Sequence, residues 1–81
     1  MTEDPSLYTT RDFKLILLFI AEKAPIVKTE KNQHNRTIFT FKREDVQPFI
    51  DLWVSGKPIP IDIRDMFNAF EIFNIRVHDE I

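Results

Sequence analysis

From Phe13 to Ala21 every residue but Lys14 is apolar, and Phe13, Ile16, Leu17 and Ile20 recur at the i, i+3, i+4, i+7 spacing of one helical face. The pattern predicts a helix from about Arg11 to Lys23, opened by a capping box of Thr9 and Asp12 and stopped at Pro25. Leu15, Leu18 and Phe19 fall off the stripe, so the apolar arc is wider than a one-sided surface helix needs. Either the helix is enclosed within the domain or those three residues face a partner. Residues 1–8, largely polar, read as a flexible tail, which leaves 9–81 as one domain.

The periodicity then changes to two. Ile26–Lys31 and Arg36–Lys42 read as strands. In the second, Thr37, Phe39 and Phe41 share one face while Arg36, Ile38, Thr40 and Lys42 share the other. Asn32-Gln33-His34-Asn35 suits the hairpin loop between them, because asparagine tolerates the left-handed conformation. A lone hairpin is marginal in water, so it must lie on the helices through Phe39 and Phe41, with both its edges open.

Helical spacing returns after Glu44. Phe49, Ile50, Trp53 and Val54 lie on one stripe, with Pro48 in the first turn and Gly56 as the left-handed stop after Ser55. Pro58 and Pro60 keep the link to Ile61 extended. Asp62 caps a last helix with Ile63, Met66, Phe67, Phe70, Phe73 and Val77 on its apolar side. The fold class is therefore α+β: helix, β-hairpin, helix, extended link, helix, with the hairpin packed on the helices.

Phe49-Ile50-Asp51-Leu52-Trp53-Val54-Ser55-Gly56-Lys57, followed by Asp62 and Met66-Phe67-Asn68-Ala69-Phe70, resembles a domain-of-unknown-function family of short bacterial, phage and plasmid proteins. Tyr8-Thr9-Thr10-Arg11-Asp12-Phe13 and the phenylalanine strand Thr37–Phe41 resemble the same family's first half. The first helix departs from it in being rich in Leu, Ile and Phe rather than alanine, and the last lacks its basic ending. The resemblance implies an α+β fold and a mobile-element origin. The family has no established activity, so it assigns no functional residue.

Composition narrows the chemistry. The 81 residues include ten aromatics, one glycine and no cysteine. A single glycine excludes a Gly-rich phosphate cradle, and the lack of cysteine excludes disulfides, thiol catalysis and Cys-ligated zinc. His34 and His78 have no nucleophile motif beside them, and Asp62 with Asp65 reads as capping rather than as a catalytic or metal pair. We therefore expect a non-enzymatic protein with no cofactor, no metal site and no small-molecule substrate. Without an apolar leader, and with a longest apolar run of seven residues against the roughly 20 that span a bilayer, the expected place is the cytoplasm, off the membrane.

Charge is uneven. Residues 26–43 carry Lys28, Lys31, Arg36, Lys42 and Arg43 against Glu30, whereas residues 44–81 carry eight acids against three cations. Two functions follow. The first is protein binding, by self-association as a homodimer or by docking on a larger protein as an inhibitor or adaptor. Its expected interface is Leu15, Leu18, Phe19 and Ile38, with two-fold edge pairing of Arg36–Lys42 as one geometry. The alternative is nucleic-acid contact through the hairpin, with Lys28, Lys31, Arg36, Lys42 and Arg43 on phosphates and the amides of Asn32, Gln33 and Asn35 on base edges. The chain's overall acidity favours the first.

Overall fold

The alternating segments become a sheet and the periodic ones helices over residues 4–79, which the structure, a computed structural model, describes; residues 1–3 and 80–81 lie outside it. The elements are strand β1 (Leu7–Thr10), helix α1 (Phe13–Ala21), strands β2 (Ile26–Lys31) and β3 (Thr37–Lys42), and helices α2 (Arg43–Ser55) and α3 (Ile63–Asp79). The class is α+β as expected, with an antiparallel sheet of order β1-β3-β2 and the hairpin packed on the helices. The short axis of 19 Å fits two layers, since stacked layers lie about 10 Å apart.

The first correction is at the N-terminus. Leu7 and Tyr8, placed in a tail by the sequence, are strand residues: Leu7 pairs with Lys42, Tyr8 with Phe41, Thr9 with Thr40 and Thr10 with Phe39. Two contacts of the Tyr8 ring add to this ladder. The Tyr8 ring meets Phe19 edge-on at 5.9 Å, and the Arg43 guanidinium lies 5.2 Å from the centre of the same ring. Strand β3 is thus central, and the expected two-fold pairing along Arg36–Lys42 is closed off because β1 and β2 already occupy both its edges.

Helix α1 starts later than the capping box implied. Asp12, not Thr9, is the N-cap, and its Oδ1 accepts from the backbone N–H groups of Lys14 and Leu15 at 2.9 and 3.4 Å. Thr10 Oγ1 accepts from the Asp12 N–H. The helix ends at Ala21, and Lys23 turns the chain with φ of 69°. The sheet lies on one side of α1 and α3 on another, and Ile16 through Ala21 are all buried. A helix apolar on every side is a buried helix, which answers the question the wide arc raised. Phe19 is 0% exposed and Leu18 3%, while Leu15 packs half-buried against the core. The expected partner face on α1 is therefore corrected to core.

Rings connect the layers. Phe19 meets Phe41 at 5.1 Å, Phe39 stacks on Phe73 at 5.4 Å, and Phe13 sits edge-on to Phe73 and Phe70 at 5.0 and 5.7 Å. Val46 and Ala69 complete the buried set from α2 and α3.

Helix α2 begins directly at the end of β3, so Pro48 lies beyond its first turn and has no N–H to give the Glu44 carbonyl. Gly56, at φ of 74°, ends it as expected. A Cβ there would meet nothing within 4 Å, so only backbone conformation selects glycine. Asp62 Oδ1 accepts from the Arg64 N–H at 2.7 Å and opens α3. The Arg64 side chain, then its backbone N–H, hold the Asp62 carboxyl below its ordinary value of 3.8. A depressed folded-state value stabilises the fold above the ordinary one, and that stabilisation is lost as pH falls through the folded value. The stability difference between the wild type and Asp62→Asn, followed by denaturant midpoints, is expected to be constant above pH 5 and to close as pH falls below about 3.8.

Candidate functional site

The helical layer buries less than the sequence promised. Of the ten apolar residues expected to face the core from the last two helices' stripes, four are plainly exposed: Trp53 is 43% exposed, Val54 78%, and Ile63 and Phe67 64% each. Phe70 is also largely exposed, apart from its contact with Phe13. The cause is geometric. Only the first half of α2, through Val46, Phe49 and Ile50, reaches the core, and α3 has one substantial neighbour, α1. That neighbour covers the stripe Met66, Ala69, Phe73 and Val77, and leaves the adjoining stripe Ile63, Phe67 and Phe70 open.

A groove of about 470 Å³ runs between α1, the end of α2, the extended link and α3, which it meets at Met66. Its apolar wall is Leu17, Trp53, Ile59, Ile61 and Met66, with Leu18 from the expected interface also touching it, and Lys14 and Lys57 complete its border. Both lysines are exposed, and among the described residues neither makes an ion pair. The nearby acids are engaged elsewhere: Asp62 with Arg64, Asp65 with Lys23 at 3.4 Å, and Asp51 as acceptor from Gln47 Nε2 at 3.0 Å. Trp53, Lys57 and Met66 were each read in the sequence as helix or link residues. Nothing along the chain brings them to Lys14, because four separate segments build the groove.

The basic hairpin is divided by the fold. Lys28 pairs with Glu30 at 3.3 Å on the outer sheet face, which also carries Ile38 and Thr40. Thr40 is fully buried there, and its hydroxyl has no hydrogen-bond partner. Arg43 is taken up structurally: it donates to the Pro5 carbonyl at 3.1 Å, the Leu7 carbonyl at 3.5 Å and Gln47 Oε1 at 3.3 Å. It is corrected from nucleic-acid contact to anchor of β1. Asn32 Oδ1 accepts from the N–H groups of His34 and Arg36, so this oxygen closes the loop rather than facing outward. Gln33 is exposed, and Asn35 supplies the loop's positive φ of 63°. Lys42 lies at the far end of β3 from this loop. What the fold does collect is Lys31, Asn35 and Arg36 around one cleft with Arg11, which the sequence reading left out because 20 residues separate Arg11 from Lys31.

His34 is in the hairpin loop and His78 in the last turn of α3, both exposed. Among the described residues no three of His, Asp and Glu converge as metal ligands would, and no helix is long and apolar enough to cross a membrane. No family model matches the chain, and neither a curated protein nor a solved structure matches it at a significant level. The family resemblance of the sequence gains nothing from these comparisons.

Proposed function

We propose that the chain is a non-enzymatic protein-binding module that docks through its helical layer. One observation carries this: Trp53, Val54, Ile63, Phe67 and Phe70 are exposed on a chain this short, and Trp53 lines an apolar groove that α3 also borders through Met66. Scattered apolar side chains are normal on a surface, whereas a run of large aromatic and branched ones beside a concave wall is where partners bind. The surface lies on α2, α3 and the link, with Leu17 and Leu18 of α1 at the groove's floor, while Leu15 and Phe19 are not part of it. An adaptor or inhibitor seated on a larger protein fits this arrangement.

The experiment pairs sedimentation with capture from the native host, using wild type and an Ile63→Ser, Phe67→Ser variant. Both side chains are mostly exposed, so the variant is expected to melt at the wild-type temperature or above. Removing central apolar anchors is worth about 2 kcal/mol, roughly 30-fold in affinity, so the variant should lose the wild type's partner or its self-association. Identical behaviour of the two proteins sinks the reading. The second reading, nucleic-acid contact, is favoured by the gathering of Arg11, Lys31 and Arg36 at one cleft. Salt-sensitive binding to duplex or single strands, weakened by Lys31→Glu with Arg36→Glu, would replace the first reading with it.

A further inference from the structure

The groove beside α3 has a chemical character that narrows its occupant, and this step rests on the protein-binding reading above. Its walls are side chains of three helices and a link, with no strand edge among them, so it offers no backbone ladder to an extended peptide. An occupant must be held by side chains. An amphipathic helix meets that condition, since residues at i, i+4 and i+7 place one apolar row along a groove. A small molecule is poorly served. The groove is open, and among the described residues the one buried side-chain oxygen without a partner, Thr40 Oγ1, belongs to the outer sheet face.

Charge selects among helices. The chain is acidic overall, yet the two charged groups at the groove, Lys14 and Lys57, are both cationic and both unpaired among the described residues. They stand on different elements, α1 and the link after Gly56, on the border of one apolar wall. A second copy docking face to face about a two-fold axis would set these lysines against their own counterparts, which opposes that pairing. We propose that the groove receives an acidic amphipathic helix of a partner protein, with its apolar row on Leu17, Trp53 and Met66 and its carboxylates at Lys14 and Lys57. The acidic excess of residues 44–81, which supply most of the groove's segments, disfavours such a helix elsewhere on them, so the lysines also fix where it lands.

Trp53 is the sole tryptophan and lies in the groove wall, so it reports occupancy directly. Two synthetic helical peptides without tryptophan serve as probes, identical in their leucine row and flanked by glutamate in one and lysine in the other. The glutamate peptide should shift Trp53 emission saturably to shorter wavelength, and the lysine peptide should not. In the Lys14→Glu, Lys57→Glu variant the preference should reverse, with the glutamate peptide weakened at least about tenfold. The exposure of both lysines leaves folding intact, checked by melting, and Lys14→Ala with Lys57→Ala should give the intermediate result of losing preference without reversing it. Equal binding of both peptides, binding of neither, or a wild-type dimer whose dissociation alone moves Trp53 emission would overturn the proposal. If the Ile63→Ser, Phe67→Ser variant still loses a captured partner in that case, the docking surface stands and only its occupant class is wrong.

Discussion

Phe19→Ala is expected to remove most of the protein's stability. The ring is 0% exposed and lies edge-on to Tyr8 at 5.9 Å and to Phe41 at 5.1 Å, so it joins β1 to the centre of the sheet from within α1. Truncating a buried phenylalanine costs about 3–5 kcal/mol, and two edge-on ring contacts place this one towards the upper part of that range. A domain of this size holds roughly 4–12 kcal/mol in all, at about 0.05–0.15 kcal/mol per residue. Each kcal/mol moves the melting temperature of so small a domain by about 4–8 °C, so the variant should melt at least about 12 °C lower, if it folds cooperatively at all. Circular dichroism melts decide it. A loss below about 1 kcal/mol would mean the site collapses freely and is not core. Phe67→Ala, 64% exposed, is the control and should melt near wild type.

The two phenylalanines show where sequence periodicity stops being informative. Phe19 lies off the stripe of α1 and is buried; Phe67 lies on the expected stripe of α3 and is exposed. A helical repeat reports that apolar residues share a face, and a helix with two adjoining apolar stripes does not say which one its neighbour covers. On α1 the sheet and α3 cover different sides, so from Ile16 to Ala21 on-stripe and off-stripe residues alike are buried. On α3 a single neighbour takes the row of Met66 and Ala69 and leaves the row of Ile63 and Phe67. Local signals were more reliable because their causes are local. Gly56 supplies its own positive φ, Asp62 its own hydrogen bond to Arg64, and the alternation of Thr37 to Lys42 its own pleat. The groove was not legible at all, since Lys14, Trp53, Lys57 and Met66 become neighbours only after α3 folds back on α1.

Strand β1 was hidden for a related reason, and it supplies the second large effect. Leu7-Tyr8-Thr9-Thr10 is too short for its alternation to be distinctive, and its pairing partner lies some 30 residues further on, from Phe39 to Lys42. A chain beginning at Arg11 is expected to lose its cooperative melt and to self-associate. Removal strips the ladder from one side of β3, takes the Tyr8 ring off Phe19, and leaves the Arg43 guanidinium without Tyr8 and without the carbonyls of Pro5 and Leu7. The exposed edge is the central strand, whose buried residues Phe39, Thr40 and Phe41 carry no charge to discourage pairing with another chain. The edge-to-edge association that the full chain forecloses would then become available, at β3 rather than on the helices. Sedimentation and melting of the shortened chain test this together: a monomer with a cooperative transition near that of the full chain would show that β1 is dispensable. Full-length protein carrying Tyr8→Ala should lie between the two, keeping the ladder while losing the ring contact, and should stay monomeric because its β3 edge remains covered.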